Sequence, residues 1–202
     1  CTIEQLAADC LEVLDACNIN SAIVLGHSTG GCIAQEMALS HPARVKALIL
    51  SGTWARPNRY MQELFNLRLA LLESNPLQYA SSAAFLSYES VWLNANWSVF
   101  ESALAGAPVD APARHIIQER IHALMQFDRK EKLGDINLPC LILGARDDLM
   151  IPSFLQEELC AEISNAQIHL FDHGGHFFPL TRTKEFTDLC LNWLAKNTES
   201  NT

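Results

Sequence analysis

No apolar run in this chain approaches the roughly 20 residues needed to cross a bilayer. Its first residues carry no charged stretch leading into an apolar core, so no export signal is read there and a cytoplasmic protein is expected. Cationic residues are scarce. Lys and Arg number 14 against 23 Asp and Glu, a net charge of −9. That balance excludes attraction to nucleic acid or anionic lipid by charge alone. The seven cysteines form no C-x-x-C pair and are odd in number, which argues against a disulfide framework. Reduced core thiols are expected instead, with Cys10 and Cys17 on the apolar face of a first helix. Internal repeats and low-complexity runs are also missing. What is present suits one globular domain: 202 residues, 49% hydrophobic and 18% charged.

Thr2-Ile3-Glu4-Gln5 has the form of a capping box, and Ile3, Leu6, Cys10, Leu14 and Cys17 follow at helical spacing. A helix over 3–17 is therefore expected. Short β-rich apolar runs at 22–25, 45–51, 139–144 and 167–171 read as buried strands. Helices are expected over 29–40, 153–163 and 183–195, the last with a stripe of Phe186, Leu189, Cys190, Trp193 and Leu194. His41-Pro42 closes the helix before it. Between the second and third strands, helical pieces at 59–73, 76–86, 89–104 and 112–127 break the alternation. The polar tail 196–202 is expected to fray. Strands alternating with helices imply an α/β fold with a mostly parallel sheet. The core is then 1–53 and 129–202, and 54–128 is a helical lid over one end of the sheet.

The stretch "IVLGHSTGGC", residues 23–32, ends a strand in Gly-His-Ser-Thr-Gly and opens a helix. Strand, G-x-S-x-G and helix in that order form a nucleophile elbow. The serine sits at strained backbone angles, so Gly26 and Gly30, two residues to either side, are expected to be small to avoid collision. Ser28 then stands out at the strand's C-terminal end, and the backbone N–H of Thr29 points where an oxyanion forms. Gly31 and Ala34 let the helix approach the sheet. A serine hydroxyl needs a base and the base needs an acid. "LILGARDDLMIP" supplies Asp147 or Asp148 after the third strand, and "LFDHGGHFFPL" supplies His173 or His176 after the fourth. All these strand ends share one edge of a parallel sheet. His176 follows Gly174-Gly175, which permit a mobile loop to present its ring, and is the expected base. His169 reads as a strand residue, and His27 as packed beside the nucleophile. His41, His115 and His122 read as surface or lid residues. His169, His173 and His176 do not complete a metal site, and neither a metal nor a cofactor is expected.

At "VLGHSTGG", "HPARVKALILSGTWARP", "LILGARDDLMIP" and "GGHFFPLTRTKEFTDLCLNWL" the chain resembles the α/β-hydrolase superfamily over nearly its whole length. Within it, "TWARPNRYMQELFNLRLALL" and "LMQFD" look most like the aminoacrylate hydrolases of the pyrimidine-utilisation pathway. Enol-lactone hydrolases and small carboxylesterases are also similar, and "FFPLT" after the histidine departs from the aminoacrylate group. The resemblance implies a triad of Ser28, His176 and Asp148, since the spacing from Asp148 to Pro152 is the one such folds show, with Asp147 bracing the turn. It implies Thr29 as an oxyanion donor and a substrate pocket that includes His27, Trp54, Trp92, Trp97 and Phe177. Phe65 and Phe85 are expected among the aromatic rings that close over it. Such folds place strands before the first helix seen here, and a loop after one of them donates a second oxyanion N–H. The chain is thus expected to be the C-terminal part of a longer hydrolase, with the nucleophile strand's edge unpaired. Loss of one such donor costs on the order of 10²- to 10³-fold in rate. The expected reaction is hydrolysis of a small ester, lactone or amide-like bond through an acyl-enzyme, or of a carbamate-type acid. The expected partners are a small-molecule substrate and, at most, a second copy in a homodimer. A non-catalytic small-molecule binder is the competing class, set apart by a failure to react with an activated-serine probe. A dehalogenase requires aspartate where Ser28 stands.

Overall fold

The computed structural model describes residues 1–198, and 199–202 of the expected frayed tail lie outside them. Four strands, β1 (Ala22–His27), β2 (Val45–Ser51), β3 (Cys140–Ala145) and β4 (Ala166–Phe171), form a sheet in the order β1-β2-β3-β4. Every neighbouring pair is parallel, so all four C-terminal ends lie along one edge. Strand β2 shows the period of two directly. Leu48 and Leu50 enter one core cluster, with Ala38, Val45 and Ile142. Ala47 and Ile49 enter a second on the opposite face, with Leu143 and Phe171.

Helices α1 (Ile3–Ala16) and α2 (Thr29–Ser40) contribute Ala7, Leu11, Ala34 and Met37 to the first cluster. Thr2 caps α1 by accepting the Gln5 N–H at 3.1 Å, but the Gln5 amide turns forward and donates to Asp9 at 2.8 Å. Only half of the capping box forms. The buried row on α1 is Ile3, Ala7 and Leu11, and Cys10 and Cys17 are exposed. This corrects the expected apolar face. A small residue at position 7 lets α2 come close, and the i, i+4 row through it takes the inward side.

The chain between β2 and β3 forms five α-helices, α3 (Arg59–Ser74), α4 (Pro76–Ser87), α5 (Ser90–Ala95), α6 (Trp97–Ala105) and α7 (Ala111–Gln126), and a 3-10 helix over Lys130–Asp135. The single helix expected over 89–104 is broken at Asn96. Its side-chain amide donates to the Trp92 carbonyl at 2.8 Å, a local bond that competes with helix propagation. Met61, Phe65, Ile121 and Leu124 from α3 and α7 share a third cluster with Ile3, Cys32, Trp54 and Leu155. The helical block is thereby packed onto the sheet's helices rather than tethered by loops.

After β3, α8 (Phe154–Glu162) leads to β4. A short α9 (Phe178–Thr181), not foreseen, precedes α10 (Thr183–Thr198), which takes up Lys196–Thr198 of the expected frayed tail. The α10 stripe packs as expected: Cys190 and Trp193 are buried in the second cluster, with Phe186, Leu189 and Leu194 against it. Strand β1 lies at one end of the sheet, where Ile23 and Leu25 are 39% and 49% exposed. Among the described residues no helix is long and apolar enough to cross a membrane.

Candidate active site

The turn from β1 into α2 carries the first element of the site. Ser28 has φ 54° and ψ −122°, a left-handed conformation that costs a side-chain-bearing residue on the order of 1–3 kcal/mol. Its N–H donates to the Ser51 carbonyl at 2.8 Å, tying the turn to the end of β2. A Cβ on Gly26 would lie 2.1 Å from the Gly30 carbonyl oxygen, so position 26 admits only glycine. The matching expectation for Gly30 does not hold: a Cβ there meets nothing within 4 Å. The tight approach falls one residue later, where a Cβ on Gly31 would lie 2.5 Å from the Thr53 side chain.

The loop after β3 supplies two carboxylates with different occupations. Asp148 is 3% exposed. Its Oδ1 accepts the backbone N–H groups of Met150 and Ile151, each at 2.8 Å. Its Oδ2 accepts from Nδ1 of His176 at 2.8 Å. A carboxylate can only accept here, so Nδ1 carries the proton and Nε2 is the nitrogen left free in the neutral ring. Asp147 points away to the next loop, where its oxygens accept the N–H groups of Gly174 and Gly175 at 3.1 and 2.9 Å. It braces the loop that carries His176.

That loop is pinned rather than loose. Gly174 and Gly175 have φ of 142° and 66°, and a Cβ on Gly175 would lie 2.7 Å from the Ser87 carbonyl oxygen. The glycines serve handedness and close approach. Phe177 N–H donates to the Ser87 carbonyl at 2.9 Å, and the Thr181 hydroxyl to the Gly174 carbonyl at 2.7 Å. The mobile loop expected from the double glycine is thus replaced by one tied at four points.

His27 lies beneath His176, with ring centroids 4.8 Å apart. Its Nδ1 shares a hydrogen bond with the Ser51 hydroxyl at 3.0 Å, and its Nε2 is buried without a partner. Burial, with the neighbouring His176 adding to it, pushes its pKa down to about 3, so the ring stays neutral. A cation there would oppose any positive charge on His176. His173 is engaged elsewhere. Arg182 donates to its Nε2 at 2.9 Å, and its Nδ1 donates to Glu89 at 3.2 Å. His169 is exposed on β4, and His41, His115 and His122 are exposed. Among the described residues no group of three or more His, Cys, Asp or Glu is gathered as a metal site would need.

Ser28, Thr29, Trp54, Met150, His176 and Phe177 line one cavity of about 390 Å³, room for a small molecule but not a polymer. Thr29 stands in the first turn of α2, where backbone N–H groups have no partner within the helix. Of the expected substrate contacts, Trp54 and Phe177 border the cavity and Phe65 joins them. His27, Trp92, Trp97 and Phe85 are not in its wall. Trp92 stacks on Tyr88 at 5.3 Å, and Tyr88 is the ring that faces the cavity. Trp97 stacks on Phe100 at 4.5 Å, and Phe85 also packs on Phe100, at 5.2 Å. Aromatic rings on short helices pair with one another first, and sequence spacing does not tell which member of a pair points inward.

Two buried glutamines were not foreseen. The Gln35 amide donates to the Trp54 carbonyl at 3.0 Å, and that of Gln156 to the Thr53 carbonyl at 2.7 Å. Together they clamp the segment after β2 that sets Trp54 against the cavity. Their signal in the sequence was a polar residue beside the apolar residues that a helix turns inward, Gln35 next to Ala34 and Gln156 next to Leu155.

Parallel strands, a serine on a strained strand-to-helix turn and a buried His–Asp pair at the neighbouring strand ends define the α/β-hydrolase architecture. The alpha/beta hydrolase family model matches residues 2–189. The chain belongs to this family, and it is an enzyme of the hydrolase class. A putative carbamate hydrolase RutD from Azorhizobium caulinodans is 33% identical over 196 residues, 96% of this chain and 74% of that protein. A second, from Stutzerimonas stutzeri, is 31% identical over the same shares. A crystal structure of a hydrolase from Pseudomonas aeruginosa superposes with TM-score 0.84 at 25% identity, covering 96% of this chain and 72% of that one. The enol-lactonase from Burkholderia xenovorans has the same fold, with TM-score 0.84 at 22% identity over 96% and 74% of the two chains.

Proposed function

We propose that the protein is a serine hydrolase that cleaves a small ester, lactone or carbamate. Nε2 of His176 takes the Ser28 proton as Oγ attacks the substrate carbonyl. Asp148 holds the His176 tautomer and stabilises the cation that forms. The Thr29 N–H receives the developing oxyanion. The tetrahedral intermediate then collapses, and the leaving group departs with the proton from His176. Water attacks the acyl-enzyme with the same imidazole as base and returns Ser28 to its starting state.

The observation that carries this reading is the His176–Asp148 hydrogen bond at 2.8 Å, between two residues that are 4% and 3% exposed, with Ser28 and His176 in the wall of one cavity. A buried carboxylate aligned on an imidazole beside a strained serine has no need to exist for packing alone. The carbamate option is supported by the relatives, and the ester and lactone options rest on the acyl-transfer chemistry open to such a serine, histidine and aspartate. A cytoplasmic setting is supported by seven cysteines that are all free thiols.

A fluorophosphonate probe tests the proposal. Wild type is expected to label at Ser28 and to hydrolyse short 4-nitrophenyl esters. Ser28→Ala is expected to lose labelling and at least about 10³-fold in kcat. A folded wild-type protein that neither labels nor turns over any ester, lactone or carbamate overturns the enzymatic reading in favour of a binding protein.

A further inference from the structure

The cavity wall carries a charge that the triad does not use. Arg68, on α3, borders the cavity yet is only 5% exposed. Its Nε is buried with no partner. Its Nη1 reaches the Ser82 hydroxyl at 3.4 Å, and its guanidinium lies 4.3 Å from the centre of the Tyr79 ring. Among the described residues no carboxylate pairs with it. The contrast with Arg129 is instructive: that arginine, also mostly buried, is paired with Glu36 at 2.6 Å and with Glu4. A chain with nine more acidic than basic residues has carboxylates to spare, yet none reaches Arg68. A second arginine, Arg120, stands in the same wall, and no Asp or Glu does. The indole N–H of Trp54, also in the wall, is likewise buried without a partner.

An enclosed guanidinium without a counter-ion is costly unless something that arrives later supplies the negative charge. Its planar fork fits a carboxylate in two-point contact, and stacking on Tyr79 holds the fork in place. We propose that Arg68 is the specificity-determining residue of the cavity, and that the substrate bears a free carboxylate which Arg68 receives while its scissile carbonyl lies at Ser28. Arg120, in the same wall, adds to the attraction for an anion. The substrate class is thus a small ester, lactone or carbamate of an acid that keeps a negative charge away from the bond broken. This inference rests on the hydrolase reading of the same cavity.

A matched pair of esters tests it: 4-nitrophenyl hexanoate, and the mono-4-nitrophenyl ester of adipic acid, which carries a carboxylate at the far end of a similar chain. Wild type is expected to favour the charged ester at least tenfold in kcat/KM, against the sign of its own net charge. Arg68→Met is expected to bring that ratio to about one, chiefly by raising KM for the charged ester, and Arg68→Lys to restore part of it. A wild type that prefers the neutral ester, or a loss in Arg68→Met that is equal for both, overturns the assignment. Should neither ester be turned over, the fluorophosphonate probe and the wider set of esters, lactones and carbamates decide the hydrolase reading, and ligand-detected NMR on Ser28→Ala judges Arg68 separately. There hexanoate is expected to bind at least tenfold more tightly than hexanamide, and equal binding overturns the proposal. If Arg68→Met does not fold, the wild-type ester ratio and the hexanoate-to-hexanamide ratio decide without it.

Discussion

His27 occupies a position that would be hazardous if it ionised, because its ring lies 4.8 Å from that of His176. Burial holds its pKa near 3, against an ordinary value of 6.5. Between those two values the unfolded chain binds a proton that the folded chain refuses. Stability therefore falls as pH drops from about 6.5 toward 3, and the contribution is level above 6.5. His27→Gln is expected to make this slope shallower by about one proton, read from urea unfolding at a series of pH values between 4 and 7.5. An unchanged slope would mean that other groups set the acid limb. The same scale shows what residue type could and could not foretell. Asp147 and Asp148 are neighbours of identical chemistry, and the residues alone left either as the acid. Their division into a brace for Gly174 and Gly175 and a partner for His176 follows from the direction each takes out of the turn.

The strand-to-helix turn shows the element scale most sharply. Gly26 and Gly30 look equivalent around Ser28, but only Gly26 is hemmed in, by the Gly30 carbonyl at 2.1 Å. Gly26→Ala is expected to cost at least about 2 kcal/mol, since the obstacle is backbone and cannot rotate away. Gly30→Ala is expected to add about 0.5–1 kcal/mol, because a helical position with open space loses only the glycine's excess flexibility. Urea midpoints at unchanged m-value check both, and a reversed order would refute the asymmetry. Most elements were legible because their signals are local. The periodicity of 29–40 and 45–51 matched α2 and β2 to the residue. Breaks set by one side chain were not: Asn96 divides α5 from α6. The face of α1 was misread for a related reason, since Ile3, Leu6 and Cys10 form as good a stripe on paper as Ile3, Ala7 and Leu11. Which one turned inward depended on the surface of α2.

Across the whole molecule the cysteines divide by depth. Cys1, Cys10 and Cys17 are exposed. Cys32 and Cys140 are buried, and burial pushes both thiols up to about 12 and that of Cys190 to about 11. In the native protein at pH 8, a thiol reagent is expected to modify Cys1, Cys10 and Cys17 at once, and Cys32, Cys140 and Cys190 only after denaturation. Mass mapping of the modified residues checks this, and rapid native labelling of Cys32 would contradict the packing of α2 on Trp54. What the sequence by itself determined was the alternating α/β plan, the elbow that holds Ser28, and the order serine, acid, histidine along one sheet edge. These follow from periodicity and turn chemistry, which act over a few residues and survive being read without coordinates. The tertiary structure alone decided which aromatic rings face the cavity, and that Arg68 stands in its wall without a counter-ion. Those facts depend on how five α-helices between β2 and β3 settle over the strand ends, and packing between segments so far apart in the chain leaves no local pattern.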